Sequence, residues 1–334
     1  MKDEINHPEA AAATNRGRPG DSGSKPLLVL EPHQRSDEAM RRILLQLLAR
    51  LRAAIDGVLE DTDTVHLHDL RVATRRTRSA LTQAKGVLPQ PVIHEFASKF
   101  KTLATLTGPC RDLDVNLRDL DSYRGQQGIL DDALDPWQQH LKHSRRLEHQ
   151  RICQELRSAS FREFIDGWAA FLETETVADP EPPEAGRPVI EVAEELTCKA
   201  FRRLVKRSSG LSDDPSAKQL HRLRIDAKKL RYLLEFFRSL YPAERVDSFI
   251  SELKALQDVL GELNDREIQR ERLTVMIRGL EATVGADTLA AMHHLASDLD
   301  LRREELRHAF RDHIDPIVTV AARRECRTLL GISR

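Results

Sequence analysis

From Ser36 onward, apolar residues recur at spacings of three and four along almost the whole chain, the period of an amphipathic helix. "SDEAMRRILLQLLARLRAAIDGVL" opens the series, with Ser36 placed to cap the first turn. The spacing predicts helices over about 36–59, 66–88, 91–107, 111–123, 134–157 and 160–174, then 189–208, 216–240, 243–260, 264–283, 286–310 and 313–330. No segment alternates as a strand does, so the expected fold class is all-α, built of helical bundles. Residues 1–30 carry Ala, Gly, Pro and Ser without periodicity and read as a disordered tail. "ETETVADPEPPEAGRP" (173–188) holds four prolines among acids, and residues 175–188 read as a linker. The expected organisation is therefore a first helical unit over 31–174, the linker, and a second unit over 189–334.

A search for repeats sharpens this division. "HLHDLRVATRRTRSAL" (66–81) packs four arginines and two histidines into sixteen residues. "LHRLRIDAKKLRYLLEFF" (220–237) resembles it at a fixed offset of 153 residues. His68, Arg71, Arg75, Arg76 and Arg78 face His221, Arg224, Lys228, Lys229 and Arg231. The offset holds beyond this helix: Arg50 faces Arg203, Lys101 faces Lys254, Gly108 faces Gly261, and Arg111–Asp112 face Asn264–Asp265. We read the chain as two copies of one helical unit.

Composition adds little by itself. The 334 residues are 31% charged and 4% aromatic, and the net charge of −1 hides any local excess. At 100° per residue, His68, Arg71, Arg75 and Arg78 share a stripe about 80° wide and about 15 Å long. Leu70, Ala73, Thr77 and Leu81 lie opposite. The second copy repeats this with His221, Arg224, Lys228 and Arg231 against Leu223, Leu230, Leu234 and Phe237, while Arg76 and Lys229 stand to the side of the stripes. Like charges at this spacing repel. Acids on a neighbouring helix would answer that repulsion, and so would an anion with many negative groups in a row. The repeated register favours the anion, because neighbouring positions have drifted (Asp69 against Arg222, Ala73 against Asp226). Arg50, Arg203, Lys101 and Lys254 either widen the cationic surface or are ordinary exposed cations. Gly108 and Gly261 are expected to end helices, and Asp112 and Asp265 to cap the helices that follow.

These two basic helices, together with "TGPCRDLDV" (107–115) and "LGELNDREI" (260–268), resemble the paired motifs of the conserved histidine α-helical domain (CHAD) family, over about residues 35–310. Asn264, in place of an arginine, and Thr77, at an apolar position, depart from the pattern. The resemblance implies two pseudo-symmetric four-helix bundles with basic residues lining a central groove or pore. It also implies binding of inorganic polyphosphate, with these repeated cations and Arg111 as contacts, and an association with polyphosphate granules. No cofactor, metal or catalytic residue is expected. Glu173-Thr-Glu175-Thr-Val177 lacks the lysine of an ExExK phosphate-binding strand, and no Walker loop is present. His66 and His68 point about 160° apart on a helix and cannot share a metal. Four separated cysteines without a CxxC read as reduced thiols. With no apolar signal core and no run long enough to span a membrane, the expected location is the cytoplasm. Nucleic acid is the alternative polyanion, disfavoured by the few aromatics and the neutral total charge. A protein-interaction scaffold is the other alternative.

Overall fold

A computed structural model describes residues 28–123, 134–174, 179–212, 215–280 and 285–319. Six helices make the first half: α1 (Ser36–Glu60), α2 (Thr64–Gln83), α3 (Gln90–Leu106), α4 (Gly108–Tyr123), α5 (Asp135–Leu156) and α6 (Ala159–Glu173). Four make the second: α7 (Val189–Ser208), α8 (Ala217–Phe236), α9 (Ala243–Leu280) and α10 (Ala286–Val318). The fold is all-α, and among the described residues the only β-type pairings are isolated bridges such as Arg35 with Pro188. The offset of 153 recurs in the helix bounds: α2 and α8 begin and end in register, and α1 with α7 and α3 with α9 begin in register.

The halves differ where the sequence puts a proline. Pro109 lacks an N–H and cannot continue a helix from α3, so the chain breaks at Thr107 and restarts as α4. Glu262 stands at the matching position, and α9 runs unbroken through Gly261. The expected division into helices 243–260 and 264–283 is thus one helix, Ala243–Leu280. Gly261 lies inside it and Gly108 opens α4, so neither glycine ends a helix. Asp112 and Asp265 fall within α4 and α9 and cap nothing. The expected helices 286–310 and 313–330 also merge as far as they are described, in α10.

One large core joins both halves, from Ile43, Leu47 and Leu51 on α1 to Leu223, Leu230 and Leu253 on α8 and α9, with Phe310 and Ile314 of α10 closing against it. In the first half, Phe96, Phe100, Phe164 and Trp168 pack ring on ring. A second core lies at the far ends of α4, α5, α9 and α10, around Leu120, Leu141, Leu273 and Met292. Beside it, Arg272 donates to Asp112 at 2.7 Å, and Gln269 donates to Asp119, tying α9 to α4. Arg145 of α5 braces the first half, with bidentate bonds to Asp61 at 2.6 Å and a bond to buried Asp114 at 2.8 Å. Cys110 and Cys153 are buried free thiols and Cys198 is half-buried; Cys326 lies outside the described residues.

Two expected boundaries shift. Residues 1–27 lie outside the description, but Leu30 belongs to the core and its N–H donates to Ser239 Oγ at 3.0 Å. Residues 175–178 of the expected linker are also outside it, whereas 179–188 are fastened down rather than loose. The N–H groups of Ser36 and Asp37 donate to the carbonyls of Arg187 and Ala185, and Glu184 N–H donates to Gly86 O. Ala185 is fully buried. These bonds supply partners for the start of α1, whose first N–H groups have none within the helix.

Candidate functional site

The apolar faces of α2 and α8 decide where their cations go. Leu67, Leu70, Ala73, Ala80 and Leu81 are buried on α2, and Leu220, Leu223, Ala227, Leu230 and Leu234 on α8. Asp63 caps α2 by accepting from Val65 N–H at 2.9 Å, and Ser216 with Gln219 forms a capping box on α8. With one face held in the core, the opposite stripe is presented as a unit on each helix.

The two stripes form one site. α2 packs against α8. Arg75 acts electrostatically on Arg71 of its own helix and on Arg224 and Lys228 of the other. Burial, then Arg75 and Arg111, pull Arg71 below the ordinary arginine range, with Asp112 opposing. Burial is also the main cause of the lowering at Arg224, where Asp265 opposes and Arg75 adds to it. Lys228 is pushed down to about 7 by burial and by Arg224, Arg75 and Arg231, against the single opposing charge of Asp265. Asp112 and Asp265, expected as caps, are the carboxylates that face these cations.

Arg71 and Arg224 hold matched positions but different partners, because of Pro109. The break it makes leaves Ala104 O at the end of α3, and Arg71 Nη1 donates to that carbonyl at 3.0 Å and to Thr107 Oγ1 at 2.9 Å. Unbroken α9 offers no such carbonyl, and Arg224 Nε is buried without a hydrogen bond. Each guanidinium lies against a glycine: a Cβ built on Gly108 would be 3.7 Å from Arg71 Nη1, and one on Gly261 3.5 Å from Arg224 Nη2. These are ordinary contacts, so the glycines give a close approach without being sterically required.

His221 Nδ1 meets Asn264 Oδ1 at 2.8 Å, so the residue that departs from the family pattern orients the histidine. With Nδ1 donating to that oxygen, only the imidazolium has a second N–H to offer an anion. His68 and Arg78 are half-buried on the α2 stripe, and Arg75 is exposed. Arg111 is half-buried, 3.8 Å from Asp114. Lys101 is exposed one turn before Ala104, and Lys254 is half-buried one turn before Gln257, which donates to Ala227 O at 2.9 Å. Lys229 is half-buried and Arg50 exposed.

Two expected contacts stand elsewhere. Arg203 pairs with buried Asp226 at 3.0 Å, and Arg207 pairs with the same carboxylate. Asp226 is half a turn of helix from the α8 stripe, so Arg203 neutralises an interior acid instead of widening the site. Arg76 is buried between Tyr232 and Phe236, its guanidinium 5.7 and 5.9 Å from the ring centroids, and it is bound to Glu235 at 2.5 Å. Glu235 also lies 3.6 Å from Arg231, whose guanidinium sits over Tyr232. The repeat could not point to Tyr232 and Glu235, because Ser79 and Thr82 stand at the matching places; the one cue was the Arg231–Glu235 spacing of four residues. His66 lies against Gly57 of α1, away from the stripe. Among the described residues, no three His, Cys, Asp or Glu side chains gather as a metal site. No described helix is long and apolar enough to cross a membrane.

An all-α domain in which two core-anchored helices share one cationic site defines the class. The chain belongs to the CHAD domain family, which it matches over residues 42–274. It is similar to two uncharacterised proteins of Mycobacterium tuberculosis, 26% identical over 308 residues, which cover 88% of the chain. The chain spans about half the length of these curated relatives, 55% of each. Its fold is similar to the CHAD domain of the plant Ricinus communis, with TM-score 0.64 and 23% identity, over 93% of this chain and 98% of that one. It is also similar to PptA from Streptomyces chartreusis, with TM-score 0.66 and 16% identity, over 84% and 99%.

Proposed function

We propose that this chain binds inorganic polyphosphate at the site shared by α2 and α8, and performs no chemistry on it. One observation carries the reading: Arg71, Arg224 and Lys228 are gathered from two helices around Arg75, where burial first and neighbouring cations second disfavour their charged forms, with Asp112 and Asp265 as the opposing acids. Partly buried like charge of this kind destabilises an empty protein. A ligand with negative charge at every repeat offsets it. Arginine forks give phosphate two parallel bonds, lysine a point charge, and His68 and His221 a donor when charged. The family resemblance implies the same ligand and an association with polyphosphate granules. The cations of the site are hydrogen-bond donors, which suits holding phosphate oxygens.

Titration of the protein with long-chain polyphosphate tests the reading. Affinity should fall as salt rises, because bound counterions are released from the polyanion. It should fall sharply in an Arg71→Ala/Arg224→Ala variant; unchanged affinity there would rule out this site. Competition at equal phosphate concentration decides the polyanion, since RNA or DNA that displaces polyphosphate would favour the nucleic-acid alternative.

A further inference from the structure

We infer that the shared site takes up a proton from solvent, on Lys228, as it takes up its polyanion. The inference rests on the polyphosphate reading and concerns how that binding is regulated.

The α8 stripe departs from arginine at one place. Where α2 has Arg75, α8 has Lys228. An arginine keeps its proton in any protein environment, whereas a lysine gives it up when burial and neighbouring cations make the charge costly. Lys228 has both conditions. It is half-buried. Arg224 and Arg231 face it from its own helix and Arg75 from α2, and Asp265 of α9 is the acid that opposes them. The nearby cations of α7, Arg203 and Arg207, are turned to Asp226 on the other side of α8 and leave this balance unchanged. The amine accordingly titrates near neutrality, at about 7, in the empty site.

A polyanion inverts each cause. Phosphate oxygens add negative charge beside Lys228 and give the ammonium hydrogen-bond acceptors, so the charged form becomes the favoured one. Above neutral pH the empty site holds a neutral amine, and the loaded site an ammonium. The proton comes from solvent; no covalent bond forms, and the phosphate oxygens stay ionised. Binding must therefore weaken as pH rises, in a window above the ordinary histidine range. Arg75, Arg71 and Arg224 hold their charge throughout and give the site a pH-independent part.

The test is the pH dependence of long-chain polyphosphate affinity in wild type and in Lys228→Arg. Between about pH 7.5 and 9, wild-type affinity should fall by up to about tenfold per pH unit, the limit for one linked proton. Lys228→Arg keeps the charge and should be flat. Calorimetry at pH 8.5 in buffers of different ionisation heat should show a proton taken up by wild type in excess of the variant. Equal slopes and equal proton uptake in the two proteins would overturn the inference. If both proteins are folded and neither binds polyphosphate, the reading of the site itself fails, a result distinct from a pH-independent binder. A measurement on wild type alone guards against a variant that does not fold. In protein labelled with 13C-lysine, one ε-carbon should titrate near 7 without ligand and above 9 with polyphosphate; an ordinary lysine midpoint for every signal of the free protein would equally overturn the inference.

Discussion

Arg76 of α2 and Glu235 of α8 form an ion pair at 2.5 Å across the contact between the two basic helices, with side chains only 10% and 12% exposed. Arg76 is one of the cations that repeat in sequence, yet it holds the helices together and is not presented to a ligand. Removing Glu235 leaves the Arg76 charge buried without its carboxylate, which costs about 3–5 kcal/mol. Glu235→Ala should therefore lower stability by that order, whereas Arg76→Met/Glu235→Leu, which removes both charges and keeps apolar volume beside Tyr232 and Phe236, should lose much less. Urea unfolding of the three proteins checks this. Equal losses in the single and double variants would show that the pair does not bridge the helices.

The different anchoring of Arg71 and Arg224 separates binding from stability. Arg224 has a buried Nε without a hydrogen bond, and burial and Arg75 disfavour its charge while Asp265 opposes them. Arg224→Ala should weaken polyphosphate binding about 10- to 100-fold, the loss of a charge-assisted bond, without loss of stability in the empty protein. Arg71→Ala should weaken binding by a similar factor and also destabilise, because Ala104 O and Thr107 lose their donor. Each variant should reduce the salt dependence of binding by about one phosphate contact. Lys101→Ala, at an exposed position, should change affinity less than about threefold.

Lys228 also fixes how the ligand-free protein responds to pH. It ionises at about 7 when folded and near 10.4 when unfolded. Between these values the unfolded chain binds more protons, so stability rises with pH; below both, folded and unfolded chains are charged alike and the folded state carries the full cost. The melting temperature should climb from pH 7 to about 8.5, with a slope of at most about 1.4 kcal/mol per pH unit and less after solvent screening. Above that range the buried Cys110 thiol, pushed up to about 12, opposes the trend, because the unfolded chain loses its thiol proton first. Lys228→Met should flatten the rise. Saturating polyphosphate should flatten it too, and a slope unaffected by either would show that Lys228 is not its source.

Much of this was legible in the sequence because the repeat constrains it twice. The apolar positions of α2 and α8 fixed which face is buried, and that in turn placed the cations. What a residue-by-residue comparison could not show is where the repeat is broken. Pro109 against Glu262 decides that α3 and α4 are two helices while α9 is one, and so decides that Arg71 has a carbonyl and Arg224 has none. Arg76 and Arg203 read as site cations because charge, not environment, is visible in a sequence; Glu235 and Asp226, the acids that claim them, lie 159 and 23 residues away along the chain. Distant pairing of this kind leaves no local pattern. The convergence of both stripes on Arg75 is likewise a property of packing, since either helix alone would carry the same sequence on a separate surface.

The division of the two histidines at the start of α2 gives a last prediction. His66 and His68 differ by two positions and face different surroundings: His68 lies on the stripe, and His66 lies on α1. Gly57 leaves the space that the His66 ring occupies, and a Cβ added there would come within 2.3 Å of the ring. Such an overlap forces the ring from its position or separates α1 from α2, a cost of about 1–3 kcal/mol. Gly57→Ala should lower the melting temperature despite the better helix propensity of alanine. Gly57→Ala/His66→Ala should recover most of the loss, because the added methyl then fills the vacated space. Polyphosphate affinity should stay within about twofold of wild type in His66→Ala but fall in His68→Ala, which removes a donor from the stripe. If His66→Ala weakened binding as much as His68→Ala, the assignment of only one of the two histidines to the site would be wrong.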